Sequence, residues 1–296
     1  MKITNKYNLP SAFVRLSESD YDYTDKEYRV TSLLKGIRET LLERRYHNQI
    51  EKDASDMIWL VFGSAVHSVL ERQPETDTEL KEERLKIQIG DYTLSGQFDL
   101  YCDEEKKITD YKTASIWKIT YRDYEDWRSQ LLIYAYMMRQ HGFDVNFGEV
   151  IALLKDHSKS KARRDKDYPQ QPVEKITFAF TDDDFYGIEL WLQGRFKDIA
   201  ELEQVEDDVL PICTKKERWN TGDKYAVMKS GRKSALRLLD SEEDASEWMA
   251  QNKKGEYIEH RPGEDRKCDS YCNVNIFCDY YMNKEGIKNE QKLNTV

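Results

Sequence analysis

The run GQFDLYCDEEKKITDYKT at residues 96–113 constrains this chain more than any other stretch. Two alternating segments flank the polar tetrapeptide DEEK, so the run reads as an antiparallel hairpin. A turn centred between Glu104 and Glu105 sets Asp103 opposite Lys106 and, further in, Asp99 opposite Asp110. Directly opposed Cβ atoms lie about 4.5–5.5 Å apart, and like charges at that separation destabilise a sheet. Such a pair needs a cation between its members, or a proton on one of them. Lys112 shares a face with Asp110, whereas Phe98, Leu100 and Tyr111 point the other way, into an apolar layer. Two carboxylates, helped by a backbone carbonyl and water, make an oxygen-rich set suited to Mg²⁺ or Mn²⁺. That ion polarises a phosphodiester and acidifies bound water, while a neighbouring lysine steadies charge building on the phosphate. A solvated surface ion pair is the plainer account of Asp110 and Lys112, and the neighbouring elements decide between the two.

Periodicity predicts helices over 30–46, capped by Thr31 or Ser32, and over 55–73, 124–142 and 181–202. In the second, Ile58, Val61, Phe62, Ala65, Val66, Val69 and Leu70 form a broad apolar stripe. Strands are expected over 92–102, 106–114, 147–154 and 174–180. This order predicts an α/β fold, a mixed central β-sheet flanked by helices. An arm with little regular structure (1–27) is expected to precede a core (28–205), with a mobile basic loop near 155–172, and a cysteine-rich segment (206–296) follows. With 296 residues, 39% of them hydrophobic, the chain can bury a sizeable core.

The start of the sequence has no apolar signal-peptide core, and no run reaches membrane-spanning length, so a soluble cytoplasmic protein with no membrane partner is expected. The formal net charge of −10 argues against coating nucleic acid by overall charge. It leaves room for a local basic channel, and Lys and Arg cluster at 155–166 and 215–237. Each cluster taken alone is a solvated loop.

On the second helix Gly63, His67 and Glu71 are spaced one turn apart, and on the third Gln130 and Tyr134 are. Each pair by itself is ordinary packing. In order, however, Gly63-Ser-Ala-Val-His67, Gly96-Gln-Phe-Asp99, Asp110-Tyr-Lys112-Thr113 and Gln130-Leu-Leu-Ile-Tyr134 resemble the PD-(D/E)XK nuclease superfamily, in its RecB-type branch of phage and bacterial exonucleases. The resemblance implies a restriction-endonuclease-like core. It implies that Asp99, Asp110, His67 and the Tyr111 carbonyl ligate the metal and that Lys112 is the catalytic lysine. Gln130 would contact DNA or order the site, with Tyr134 in support. The implied function is a Mg²⁺- or Mn²⁺-dependent exonuclease acting on single- or double-stranded DNA ends, with replication or recombination proteins as partners. A non-catalytic nucleic-acid-binding or assembly module on the same fold is the alternative. Trp117, Tyr121, Tyr124 and Trp127 are candidates for stacking an unpaired strand, or for the core.

Cys268, Cys272 and Cys278 fall close together, and Cys213 lies upstream. Four thiolates suit a [4Fe–4S] cluster or tetrahedral Zn²⁺, whereas isolated buried cysteines pack as small hydrophobes. Nucleases of the RecB type often carry a four-cysteine iron–sulfur cluster, so the resemblance favours iron and predicts a C-terminal metal-cluster module. Cys102, in the hairpin, reads as structural.

Overall fold

The computed structural model describes residues 1–17, 23–74 and 76–293; positions 18–22 of the expected N-terminal arm, residue 75 and residues 294–296 lie outside the described residues. The chain divides into two compact units, residues 1–35 with 44–205, and residues 36–43 with 206–296.

In chain order the first elements are β1 (Lys2–Thr4), α1 (Ser11–Ser17), β2 (Glu27–Arg29), α2 (Val30–Leu33), α3 (Ile37–Arg45), β3 (Glu51–Asp53) and α4 (Ile58–Glu71). The arm therefore carries regular structure, since β1 pairs in parallel with β3. The helix expected over 30–46 is two helices, broken at residues 34–36, where Gly36 weakens helical propensity.

Next come β4 (Glu79–Lys81), β5 (Arg84–Ile89), β6 (Tyr92–Gln97), β7 (Leu100–Cys102) and β8 (Lys107–Ala114). The single strand expected over 92–102 is bent into β6 and β7. The bend divides one long hairpin between two sheets. Lys81 faces Leu100 and Arg84 faces Gln97, so the antiparallel register runs unbroken through the bend. Glu82 sits at the bend in the left-handed region (φ 50°) and donates its N–H to the Asp99 carbonyl at 3.1 Å. Beyond the bend, β5 and β6 form a three-stranded sheet with β2.

Helices α5 (Ile116–Tyr121) and α6 (Glu125–Gln140) lead to β9 (Phe147–Leu154), α7 (Lys159–Ala162), β10 (Val173–Ala179) and α8 (Asp182–Leu202). The central sheet has the order β10-β9-β8-β7-β4. Only β8 and β9 run parallel, and α5 and α6 supply the crossover that a parallel pair requires. This is the expected mixed sheet flanked by helices. Helix α6 ends before Gly142, whose φ of +88° suits glycine. Its apolar side, including Leu131, Ile133, Tyr134 and Met138, packs on β8, β9 and α8.

Helix α4 departs from expectation. No residue in it is buried, and Ile58, Trp59, Leu60, Phe62 and Val69 are exposed. Its apolar stripe does not enter the core, because the helix meets the sheet through the side that bears Gly63 and His67.

The second unit holds β11 (Lys224–Met228), β12 (Arg237–Leu239), α9 (Glu242–Asn252), β13 (Tyr257–Arg261), α10 (Arg266–Ser270) and α11 (Asp279–Leu293). Its sheet has the order β12-β11-β13 and is antiparallel throughout. Among the described residues no helix is long and apolar enough to cross a membrane.

Candidate active site

The hairpin of β7 and β8 has the predicted register. Leu100 faces Thr109 and Cys102 faces Lys107, which carries Asp99 opposite Asp110. Both carboxylates are buried, Asp99 at 8% exposure and Asp110 at 4%. The enclosed layer lies on their own side of the sheet, where Tyr101 and Ile108 are fully buried beside them. On the opposite side Leu100 and Tyr111 are only half-buried, so the apolar layer expected there is partial.

Each carboxylate has its own partners. Asp99 Oδ2 accepts the Tyr111 N–H at 2.6 Å, and Asp99 Oδ1 lies 3.2 Å from His67 Nδ1. His67 Nε2 donates to the Tyr111 carbonyl at 3.0 Å. Both ring nitrogens thus face acceptors, which only a doubly protonated imidazole satisfies. Accordingly the Asp99 hydrogen bond, with the charges of Asp99, Asp110 and Glu82, raises the pKa of His67 to about 9 against the opposing effect of burial.

Asp110 Oδ1 accepts from Lys112 Nζ at 3.1 Å and from Gln130 Nε2 at 3.4 Å. Its Oδ2 lies 2.8 Å from Lys112 Nζ yet receives no hydrogen bond, so the ion pair is close but poorly aligned. Burial pushes the Asp110 carboxyl above the usual carboxylate range, aided by the charge of Asp99 and opposed by Lys112 and His67. Gln130 also donates to the Tyr134 hydroxyl at 3.2 Å. Tyr134 in turn explains Gly96, because a Cβ there would stand 2.6 Å from the tyrosine ring. Gly63 has no such constraint, since a Cβ would meet only Thr113 Oγ1 at 3.7 Å.

These contacts form two sets, His67 with Asp99 and Tyr111, and Asp110 with Lys112 and Gln130, which adjoin where Asp110 precedes Tyr111 in β8. The tightest set of ligand atoms is different, however. Among the described residues, His67, Glu82 and Asp99 are the one group of three whose ligand atoms lie within 4.8 Å of one another. Glu82 Oε1 is 3.7 Å from His67 Nδ1, and burial and the Asp99 charge raise its pKa. Sequence reading missed Glu82. The signal was present in the two alternating runs around Gly90-Asp91, a two-residue hairpin turn whose register sets Glu82 opposite Asp99.

In the second unit, all four candidate cysteines line one cavity with Arg38, Glu39, Arg218 and Lys267. Arg38 Nε donates to Cys278 Sγ at 3.2 Å, and Lys267 Nζ pairs with Glu39 at 2.5 Å. Burial raises the pKa of the Cys213 thiol, and takes those of Cys268 and Cys272 to about 11 and about 12. A Cβ on Gly36 would lie 2.6 Å from Cys213 Sγ, so this cavity admits only glycine there without rearrangement. Cys102 lies apart, half-buried on β7.

A mixed sheet whose central hairpin presents paired carboxylates and a lysine, with a histidine and a glutamine from flanking helices, is an α/β domain with the donor set that metal-assisted phosphodiester chemistry uses. The chain belongs to the PD-(D/E)XK nuclease superfamily, which it matches over residues 75–279. Among solved structures it is similar to SSO0001, at 15% identity and a TM-score of 0.45 over 62% of this chain and 83% of that one. It is also similar to a phage related exonuclease from Haemophilus somnus, at 13% identity and a TM-score of 0.28 over 64% and 82%. LHK-Exo in complex with dAMP matches at 10% identity and a TM-score of 0.34 over 59% and 92%. No curated protein matches the sequence.

Proposed function

We propose that the chain is a Mg²⁺- or Mn²⁺-dependent deoxyribonuclease that works as an exonuclease at DNA ends, in the replication, recombination or repair of a bacterial cell or its phage. One observation carries this reading: two buried carboxylates lie opposite each other on adjacent strands, Asp99 held by an imidazolium and Asp110 flanked by a lysine, with one carboxylate oxygen, Asp110 Oδ2, left without a hydrogen bond. The donors fit a hard divalent ion. Asp99, Asp110 and the Tyr111 carbonyl offer oxygen, and the His67 imidazole leans the set toward Mn²⁺. Glu82 is a further oxygen donor within reach.

When bound, the ion supplies Lewis-acid activation of the phosphodiester and of water. The chain's residues do the positioning. Asp99 is locked by the Tyr111 N–H, and Gln130 holds Asp110 from the helix side. Lys112 presents an ammonium beside Asp110, placed to stabilise charge growing on the phosphate. His67 would hold the ion through a ring nitrogen and, doubly protonated without it, would have to give up a proton to do so.

The assay is cleavage of end-labelled linear and circular DNA, single- and double-stranded, with Mg²⁺ or Mn²⁺. Linear DNA is degraded from its ends, and Lys112→Ala lowers the rate by about 100-fold or more. Unchanged cleavage by Lys112→Ala removes the proposed site. Binding without cleavage in every metal supports the non-catalytic module.

The second unit, with residues 206–296, is read as a cluster-binding module in which Cys213, Cys268, Cys272 and Cys278 hold a [4Fe–4S] cluster. Zinc at ~2.3 Å from four sulfurs draws them to within ~4 Å of one another. Among the described residues no three of these sulfurs lie within 4.8 Å of each other. A cluster with iron and sulfide between its ligands suits wider spacing, and Arg38, Arg218 and Lys267 offset its negative charge. Iron and acid-labile sulfide after anaerobic purification support this reading, and stoichiometric zinc without iron refutes it.

A further inference from the structure

We propose that the end of the sheet beyond Lys112 is a stacking platform for an unpaired DNA strand, built on Trp117 and Tyr121; this rests on the nuclease reading and specifies its substrate. Both rings are solvent-facing, Trp117 at 56% exposure and Tyr121 at 73%. They stack on each other one helical turn apart, with centroids 5.8 Å apart and planes 21° from parallel. Their neighbours Tyr124 and Trp127 also stack, but Trp127 is buried and belongs to the core. Of the four aromatic residues in this stretch, then, the first two present ring surface that the fold leaves uncovered.

Their position in the chain ties them to the carboxylates. Strand β8 runs from Asp110 and Lys112 directly into α5, so Trp117 follows Lys112 by five residues. The Lys155 N–H donates to the Ala114 carbonyl at 3.0 Å, and Asp156 accepts from Ser115 and from the Ile116 N–H. These bonds fasten the start of the basic loop to the start of α5. Lys155 Nζ lies 3.9 Å over the ring of Trp59, another exposed aromatic, on the uncovered side of α4.

The charge at this end is opposite to that of the whole chain. Lys159 and Lys161 on the short helix α7, and Arg163, Arg164 and Lys166 in the loop after it, are all exposed. A cleft of about 720 Å³ separates that loop from the end of α5, with Arg122, Lys166 and Lys175 among its lining residues. A chain of net charge −10 thus carries a local excess of cations on the segment bonded to the start of the helix that bears both rings, although Asp167 and Glu174 also line the cleft. Unpaired nucleic acid satisfies both features, since its bases stack on the rings and its phosphates meet the cations. A blunt duplex satisfies only the cations, because its bases already stack on one another.

The test uses the full chain carrying Asp110→Asn, so that DNA is bound and not cut, and measures affinity for labelled oligodeoxythymidine and for a blunt duplex. Trp117→Ala with Tyr121→Ala is expected to weaken oligodeoxythymidine binding by about 10-fold or more and to leave duplex binding within about two-fold. Trp117→Phe with Tyr121→Phe keeps the stacking faces and restores binding. Equal loss for both DNAs, or no loss, overturns the proposal. Iododeoxyuridine crosslinking of the chain with the platform intact is a second measurement that needs no platform variant. Crosslinks at Trp117 or Tyr121 support the platform, and crosslinks confined to other residues overturn it. If the natural sequence cuts no DNA while the aromatic variants still lose oligodeoxythymidine binding, the nuclease reading fails and the platform stands. If it cuts DNA and the variants bind normally, the platform fails alone.

Discussion

At the scale of single residues, the candidate site trades stability for poise. Burial holds the Asp110 carboxyl toward its neutral form, so its negative charge above that raised pKa costs folding free energy. Asp110→Asn removes that cost. It is expected to raise the stability of the metal-free protein by about 1 kcal/mol in urea denaturation at neutral pH, while abolishing DNA cleavage. His67 carries the opposite sign. Its folded pKa of about 9 exceeds the ordinary 6.5, so its pairing contributes stability fully below 6.5 and loses it as pH rises through 9. The melting-temperature gap between the metal-free protein and His67→Ala should therefore close across that window. Metal binding displaces the same proton, so Mn²⁺ affinity measured by calorimetry should rise by up to about 10-fold per pH unit below pH 9. A flat affinity profile would show that His67 stays outside the coordination sphere.

At the scale of elements, two glycines separate packing from function. Gly96 on β6 faces the Tyr134 ring, and a methyl group there would collide with it. Gly96→Ala is expected to cost about 1–3 kcal/mol and, by shifting Tyr134, to loosen Gln130 from Asp110. Gly63 lies inside α4, where an added methyl group would reach only ordinary van der Waals contact with Thr113 Oγ1, so Gly63→Ala should stabilise by about 0.5–1 kcal/mol. A stabilised Gly63→Ala protein that loses activity would identify a close approach of substrate to that helix, read as a raised KM. The same elements show what the sequence could reveal. The β7–β8 register was legible, because a turn centred between Glu104 and Glu105 sets Asp103 opposite Lys106, but the enclosed face was not, because Leu100 and Tyr111 alternate with the equally apolar Tyr101 and Ile108. The bend at Phe98 and Asp99 was not, because both halves of the strand keep the same alternation and only the change of sheet distinguishes them. Glu82 was lost with that bend. The exposure of α4 was likewise illegible, since an apolar stripe does not say whether a core awaits it.

At the scale of the whole molecule, the four candidate cluster cysteines and the paired carboxylates occupy different compact units. Replacing Cys268 and Cys278 by Ser removes two ligands of the proposed cluster. Amide exchange is expected to accelerate across residues 206–293 while the hairpin around Asp99 and Asp110 keeps its protection. Uniform loss of protection would show that the chain unfolds as one. The parallel pairing of β8 with β9 has a consequence for synthesis. Every side chain assigned to cleavage precedes residue 147, yet the strand that carries Asp110 and Lys112 gains its second neighbour only when 147–154 arrive. A nascent chain halted at residue 146 would hold every residue of the proposed site while β8 lacks one of its two neighbours, so the sheet around that site closes only after β9 has emerged.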